Sequence, residues 1–314
     1  MILRQSREKR FISFVVCVGD EERTADTFLS ELIRLAEEMF ESWEVIVVLN
    51  GSPDGTGRAI REAVKSSAGV ILITLAWRHD EELAMLAGTD FAIGDLIYEI
   101  ESTYRDWPLE ILATLYEKCL AGNDIVSAVP HRPLSLGSKL FYYLLRKMSY
   151  LNLELTTEEL RLVSRRSLNA VLSAKETTRY RKALYKSSGF PCATVTYKPL
   201  HEKRKRPQDG LLNRIGTAFD VLISFSSFGY NIGILFSILF LILSVGIGIF
   251  AIDRYLVRKE IASGWTTLSL FLSFGFSGIF LVLGLLGKYL SIALIELQQR
   301  SPYRVSSVMR IEKQ

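Results

Sequence analysis

Four short stretches of this sequence carry the residue types from which polar binding sites are built. They are Gly19-Asp20-Glu21-Glu22, Leu49-Asn50-Gly51-Ser52, Trp77-Arg78-His79-Asp80 and Glu101-Ser102-Thr103. Asp20, Glu21 and Glu101 offer carboxylates, Asn50 a neutral acceptor, Ser52 and Thr103 hydroxyls, and Arg78 a permanent cation. Each stretch directly follows a short apolar run: Phe11–Val18, Trp43–Leu49, Val70–Leu75 and Leu96–Ile100. Such runs, rich in β-branched residues, read as buried strands. An open parallel sheet binds ligands just beyond the carboxyl ends of its strands. If the four runs lie in one sheet, the four stretches form one candidate site.

The elements between them agree with that arrangement. Residues 24–40 form an amphipathic helix with Phe28, Leu29, Leu32, Ile33, Leu35 and Ala36 on its apolar side. Further helices are expected at 55–67, 80–92 and 108–121, and a fifth strand at 125–129. Strands alternating with helices of this length predict an α/β domain with a parallel sheet and right-handed crossovers. Neither G-x-G-x-x-G nor G-x-x-x-x-G-K-[ST] occurs, so neither a dinucleotide fold nor a P-loop is indicated. Cys17, Cys119 and Cys192 have no metal or disulfide spacing, and the three histidines are scattered, which argues against a Cys/His zinc site and fits a reducing compartment.

The chain has 314 residues, 49% of them hydrophobic, and a mean hydropathy of +0.21. That positive value comes from the end of the chain. No Asp, Glu, Lys or Arg occurs between Asp220 and Asp253, nor between Glu260 and Lys288. Each gap exceeds the roughly 20 residues that cross a hydrocarbon core, and Tyr230, Tyr255, Trp265 and Tyr289 sit near the edges as interfacial aromatics do. Two buried core helices are the alternative, but two such uncharged runs in tandem are rare in soluble folds. The predicted organisation is a body over residues 1–208, an interfacial amphipathic helix over 209–227, a membrane hairpin over 228–290 with spans near 229–252 and 264–287, and a tail over 291–314. An ordinary docking helix remains the other reading of 209–227.

The net charge is only +4. Lys203, Arg204, Lys205, Arg206 and Arg214 precede the first span, and Lys288, Arg300, Arg304 and Arg310 follow the second. Basic flanks of this kind place both termini in the cytoplasm and suggest contact with anionic lipid head groups rather than nucleic acid. The basic-then-apolar N-terminus is read as a first strand and not a signal peptide, because Gly-Asp-Glu-Glu stands where small cleavage-site residues would be.

Several motifs then fall into one order along the chain. Val18-Gly-Asp-Glu-Glu22 stands for V-Y-N-E-E, and Val48-Leu-Asn-Gly-Ser-Pro-Asp-Gly-Thr56 for V-D-D-G-S-T-D-G-T. Leu86-Ala-Gly88 with Gly94-Asp95, Ser138-Lys-Leu-Phe-Tyr142 and Leu162-Val-Ser-Arg-Arg166 follow. Ser224-Phe-Ser226, Gly264-Trp-Thr266, Leu286-Gly-Lys-Tyr-Leu290 and Arg300-Ser-Pro-Tyr-Arg-Val305 complete the series. Over nearly its whole length the sequence resembles family 2 glycosyltransferases of GT-A fold, in their polyprenyl-phosphate branch (dolichyl-phosphate mannose synthase-like and undecaprenyl-phosphate glycosyltransferase-like). The resemblance implies a GT-A-like, mostly parallel sheet flanked by helices, followed by the interfacial helix and the membrane hairpin. It also implies an integral protein of the bacterial inner membrane or its equivalent, moving a sugar from a nucleotide sugar to a polyprenyl phosphate for glycan assembly.

Site residues follow from the same resemblance. Asp20, Glu21, Asn50, Gly51, Ser52 and Arg78 fall at nucleotide-sugar-binding positions. Glu101 and Thr103 fall on the D-x-D that holds Mg²⁺ or Mn²⁺, a Lewis acid for the diphosphate leaving group. Glu159 and Arg161 stand for D-F-R as a catalytic carboxylate and a phosphate contact, with Arg132, Lys139 and Arg146 for the acceptor phosphate. The chain departs from the pattern at Leu49, Asn50, Glu81 and Thr103. A Glu-x-Thr pair gives one anionic ligand in place of two, and Glu81 reverses a lysine's charge. A second reading follows from these losses: an inactive homologue acting as partner or scaffold of another membrane glycan-assembly enzyme. The active form could also be a homo-oligomer.

Overall fold

Along Ile12–Val18 every side chain is buried, Ser13 included, and the strand is covered on both faces. Phe14, Val16 and Val18 belong to one core layer, Val15 and Cys17 to the other. That accounts for the unbroken apolar runs in the sequence, since a parallel sheet sandwiched by helices has no wet face. The computed structural model describes residues 7–65, 67–131, 158–173, 181–200, 264–297 and 303–311, with single positions between 235 and 250.

The chain runs β1 (Glu8–Val18), α1 (Glu22–Met39), β2 (Phe40–Leu49), α2 (Thr56–Val64), β3 (Val70–Leu75), α3 (Glu81–Phe91), β4 (Leu96–Ile100), α4 (Ile111–Leu120) and β5 (Ile125–Pro130). Then come β6 (Leu160–Ser164), α5 (Arg165–Ser173), α6 (Arg181–Ser187), β7 (Cys192–Tyr197), α7 (Trp265–Leu297) and β8 (Val305–Ile311). The strands and helices expected through residue 129 are all present. The first two strands begin earlier than expected, at Glu8 and Phe40. The last five elements before α7 and β8 include four that periodicity did not announce: β6, α5, α6 and β7.

One eight-stranded sheet joins them in the order β7-β5-β6-β4-β1-β2-β3-β8. Pairing is parallel across β4-β1-β2-β3 and between β5 and β7. β6 runs antiparallel to both β4 and β5, and β8 antiparallel to β3. After β3 the chain returns to the far side of β1, so the order reverses between β1 and β4. That reversal opens a crevice at the strand tips, the usual ligand position in open α/β sheets. Helix α3 closes on this part of the sheet through Gly88: a Cβ there would lie 2.3 Å from Val15 Cγ1 and 2.7 Å from Val48 Cγ2.

The second expected span, 264–287, coincides with α7, a helix of 33 residues and hence about 50 Å long. Phe274, Phe280 and Leu290 on it are 62%, 70% and 63% exposed, an apolar surface that a soluble fold rarely leaves to water. Over the described residues, however, no helix is both long and apolar enough to cross a membrane. The interfacial helix expected at 209–227 lies outside the described residues, as does the 229–252 span apart from isolated positions.

Candidate functional site

All four chemistry-bearing stretches meet at one edge of the sheet, and their side chains are largely occupied with one another. At the crevice between β1 and β4, the Glu21 carboxylate accepts from Ser102 Oγ at 2.6 Å, from Thr103 N at 2.7 Å and from the Thr103 hydroxyl. The Glu21 N–H in turn donates to Thr56 Oγ1 at 2.9 Å, at the start of α2. Three donors to one buried carboxylate satisfy it from inside the fold. Glu21 is therefore a clamp that ties the β1, β2 and β4 exits together.

Asn50 acts similarly between β2 and β3. Its Oδ1 accepts from the His79 N–H at 2.8 Å, and its Nδ2 donates to the His79 carbonyl at 2.9 Å. An aspartate could accept but not donate, so this pairing selects the amide. Leu49 is 6% exposed and belongs to the core layer under α1 and α2, so it continues the buried strand. Gly51 has φ +57°, and a Cβ on it would lie 2.3 Å from Arg78 N. Both the dihedral and the close backbone approach require glycine. Next to it, the Ser52 hydroxyl is buried without a hydrogen-bond partner among the described residues. A buried unpaired polar atom calls for an explanation, and a ligand group is one. Asp20 and Arg78 form an ion pair of 2.8 Å across the same mouth. Trp77, 53% exposed, completes the rim between His79 and the Arg304 guanidinium, whose carbon lies 5.6 Å from the ring centre.

Two substitutions separate these roles. Gly51→Ala is expected to cost about 1–3 kcal/mol through strain at positive φ and the clash with Arg78. Ser52→Ala removes an unpaired buried hydroxyl and should leave stability unchanged or slightly higher. Thermal unfolding of the two variants beside the parent chain checks both signs.

Beneath β4 lies a buried ionic cluster. Glu99, in the middle of β4, accepts from Arg161 Nη1 at 3.1 Å, from Arg181 Nη1 and from the Tyr185 hydroxyl. Arg161 also holds Glu158 and lies 4.7 Å over the Tyr185 ring. Arg181 reaches Glu82 at 2.7 Å and Glu101 at 3.9 Å, and Lys182 Nζ lies 3.4 Å from Glu101. Four carboxylates thus face three cations. Burial works against the charge on Arg161 and Arg181, but the surrounding carboxylates outweigh it and hold both protonated. Burial would likewise raise Glu158, yet Arg161 and Lys182 bring it below the usual range. Glu82 goes the other way: burial raises it, with Glu101 adding to the rise against the pull of Arg181.

The positions expected from the sequence are thus brought together unevenly. Asp20, Glu21, Asn50, Gly51, Ser52 and Arg78 share one mouth. Glu101 and Thr103 adjoin it at the end of β4. Glu159 lies half-buried beside Glu101, whose N–H donates to the Glu159 carbonyl at 3.1 Å. Arg161, by contrast, is 3% exposed and sits within the ionic cluster rather than at the mouth. Arg132, Lys139 and Arg146 lie outside the described residues. Arg181, Lys182 and Tyr185 escaped the sequence reading, though one signal existed: an acid at the centre of Leu96-Ile-Tyr-Glu-Ile100 must find a cation somewhere.

The fit of Mg²⁺ or Mn²⁺ to Glu101 and Thr103 is poor. The Glu101 carboxylate already faces two cations. Thr103 gives its one proton to Glu21, so Thr24 Oγ1, 2.8 Å away, must donate to it. One lone pair then remains, on a residue 2% exposed. Among the described residues no group of three or more His, Cys, Asp or Glu side chains could hold a metal ion.

Comparison with known proteins bears on the whole chain. It is 24% identical over 315 residues to the undecaprenyl-phosphate 4-deoxy-4-formamido-L-arabinose transferase of Aeromonas hydrophila, covering 96% of this chain and 94% of that one. It is 25% identical over 306 residues to the SfII prophage-derived bactoprenol glucosyl transferase of Shigella flexneri, covering 95% and 98%. Among solved structures, glucosyl-3-phosphoglycerate synthase from Mycobacterium tuberculosis in complex with uridine diphosphate superposes with a TM-score of 0.50 at 17% identity, over 69% of this chain and 79% of that one. This likeness is one of fold: an α/β, GT-A-like, mostly parallel sheet with flanking helices. Residues 13–102, which run from within β1 through β4 and include all four tip stretches as far as Ser102, match the family described as glycosyl transferase family 2.

Proposed function

We propose that this protein moves a sugar from a nucleotide-sugar donor to a polyprenyl phosphate at the cytoplasmic face of a membrane. The observation that carries the donor half is the Asn50-Gly51-Ser52 turn, whose Ser52 hydroxyl is buried without a hydrogen-bond partner among the described residues, together with the Asp20–Arg78 pair at the neighbouring strand tips. Relatives that match almost end to end are named as transferases to undecaprenyl phosphate and bactoprenol. In the reaction an oxygen of the lipid phosphate displaces the nucleoside diphosphate at the anomeric carbon. Ser52, Asp20, Arg78 and the Gly51 backbone contact the donor, while Glu21 and Asn50 hold the loops that carry them. Arg132, Lys139 and Arg146 receive the acceptor phosphate, and Glu159 supplies a carboxylate at the edge of the site. Holding both reactants in one orientation is the main catalytic device.

The acceptor half requires a lipid bilayer beside the strand tips. Residues 228–290 are assigned to a two-span hairpin, 209–227 to an interfacial helix and 1–208 with 291–314 to the cytoplasm. The uncharged runs, the basic flanks and the exposed apolar side chains of α7 support this placement. So does the covalent path. Only six residue steps separate Leu297, at the end of α7, from Tyr303, a reach of roughly 20 Å. Arg304 already touches the β3 exit, donating from its N–H to His79 Nε2 at 3.0 Å.

Membranes containing the protein, incubated with polyprenyl phosphate and a panel of labelled nucleotide sugars, should yield a lipid-linked sugar with at least one donor. Failure with every donor, while one of the named relatives gives product under the same conditions, would refute the assignment.

A further inference from the structure

We propose that Lys182, positioned by Glu101 at the end of β4, supplies the charge that steadies the donor diphosphate, so that the protein binds a nucleoside diphosphate without a divalent cation. The inference rests on the donor reading above. Three of the acids and hydroxyls at the β1 and β4 tips that could have met a metal ion, Glu21, Thr103 and Glu101, have other tasks. Glu21 is surrounded by three donors. Thr103 links Glu21 to Thr24. Glu101 faces Lys182 at 3.4 Å and Arg181 at 3.9 Å. A doubly charged ion beside Glu101 would have to displace or repel both cations.

Lys182 differs from its neighbours. The side chains of Arg161 and Arg181 are 4% and 3% exposed and each bonds two or more carboxylates, so neither can leave without unpairing a buried acid. Lys182 and Glu101 are each 14% exposed, more than the two arginines of the cluster. A lysine ammonium is a point charge on a flexible four-carbon stem, able to turn from Glu101 towards an arriving phosphate. Glu101 sits one residue before Ser102 and two before Thr103, both bonded to Glu21 beside the Asp20–Arg78 mouth. The Lys182 ammonium is therefore held by the residue that leads directly into the Ser102-Thr103 loop.

The test is calorimetric titration of uridine and guanosine diphosphates onto the full chain in detergent, once with EDTA and once with Mn²⁺. The nucleotide that binds should do so with a Kd equal in the two buffers to within about twofold. Lys182→Met should weaken binding in EDTA by roughly tenfold or more. Tightening of the wild type by Mn²⁺ of about tenfold or more overturns the inference, as does unchanged binding by Lys182→Met. Loss of Mn²⁺-dependent binding in Glu101→Gln would assign that carboxylate to a metal instead, and it decides the matter even if the lysine variant does not fold. Absence of binding in both buffers removes the donor reading and this inference together; metal-dependent binding removes this inference alone.

Discussion

Arg161→Ala is expected to lower folding stability by about 3–5 kcal/mol, because it takes the guanidinium from buried Glu158 and one of two guanidinium partners from buried Glu99. Glu99 and Glu158 are 2% and 4% exposed, and Arg161 is the guanidinium that bonds both. Directly opposed across the β4–β6 pair, Glu99 and Arg161 also fix the register of those strands. Arg181 would remain on Glu99, but Glu158 would lose the charge that now holds it ionised against burial. The acid must then either stay charged with only Lys182 and the Ser127 hydroxyl to offset its burial, or take up a proton. The second course costs less, so the loss should shrink as pH falls towards the carboxylate range. Glu158→Gln, which removes one acid and keeps the cation on Glu99, should cost less than Arg161→Ala. Chemical unfolding of the detergent-solubilised protein at neutral and mildly acidic pH measures both effects. An Arg161→Ala chain that melts with the parent yet fails in transfer would return Arg161 to the substrate phosphate, where its place in the D-F-R-like triplet had put it.

That contrast marks where sequence reasoning stopped. The location of the site was legible, because runs such as Val45–Leu49 can only be interior strands and an interior parallel strand must end at a ligand edge. The tasks of the side chains at that edge were not. Glu21 looks from its neighbours like a ligand acid, and only the fold brings Ser102 and Thr103, 81 and 82 residues away, onto its oxygens. Asn50 looked like a weakened aspartate, whereas its two bonds to the His79 backbone need the amide. Leu49 was the easier case, since an apolar residue at a strand end either fills the core or meets an apolar ligand. β6 was hidden because Arg161 interrupts Leu160–Ser164, and a charge inside a strand argues against burial until its partners are known. The final strand was hidden for the opposite reason. Val305–Ile311 is mostly exposed and has no clean alternation; it is a strand because β3 offers it an edge, which is a tertiary and not a local cause.

Removing that last strand is expected to be the most damaging change to the sheet. Truncation before Tyr303 deletes the pairing of β3 with β8, from Val70 opposite Ile311 to Leu75 opposite Val305. It also deletes the bond from the Ala76 N–H to the Arg304 carbonyl at 2.9 Å, the Arg304–His79 bond and the Tyr303 hydroxyl on Asp90. β3 would then be an outer strand of sequence Val-Ile-Leu-Ile-Thr-Leu, with no charge and no proline to block pairing with another chain. The truncated protein should therefore unfold at lower temperature and self-associate in detergent, seen as loss of the monodisperse peak in size-exclusion chromatography. Arg304→Ala is the internal control. It removes an exposed guanidinium from above Trp77 but keeps every backbone bond of residue 304, so its effect should stay within about 0.5 kcal/mol. If the truncation were as mild as the point change, β8 would be an ornament on the sheet edge. If it is severe, the C-terminal segment after α7 is part of the domain's structure, and the β3 exit with His79 and Asn50 is held by the same stretch of chain that leads from α7.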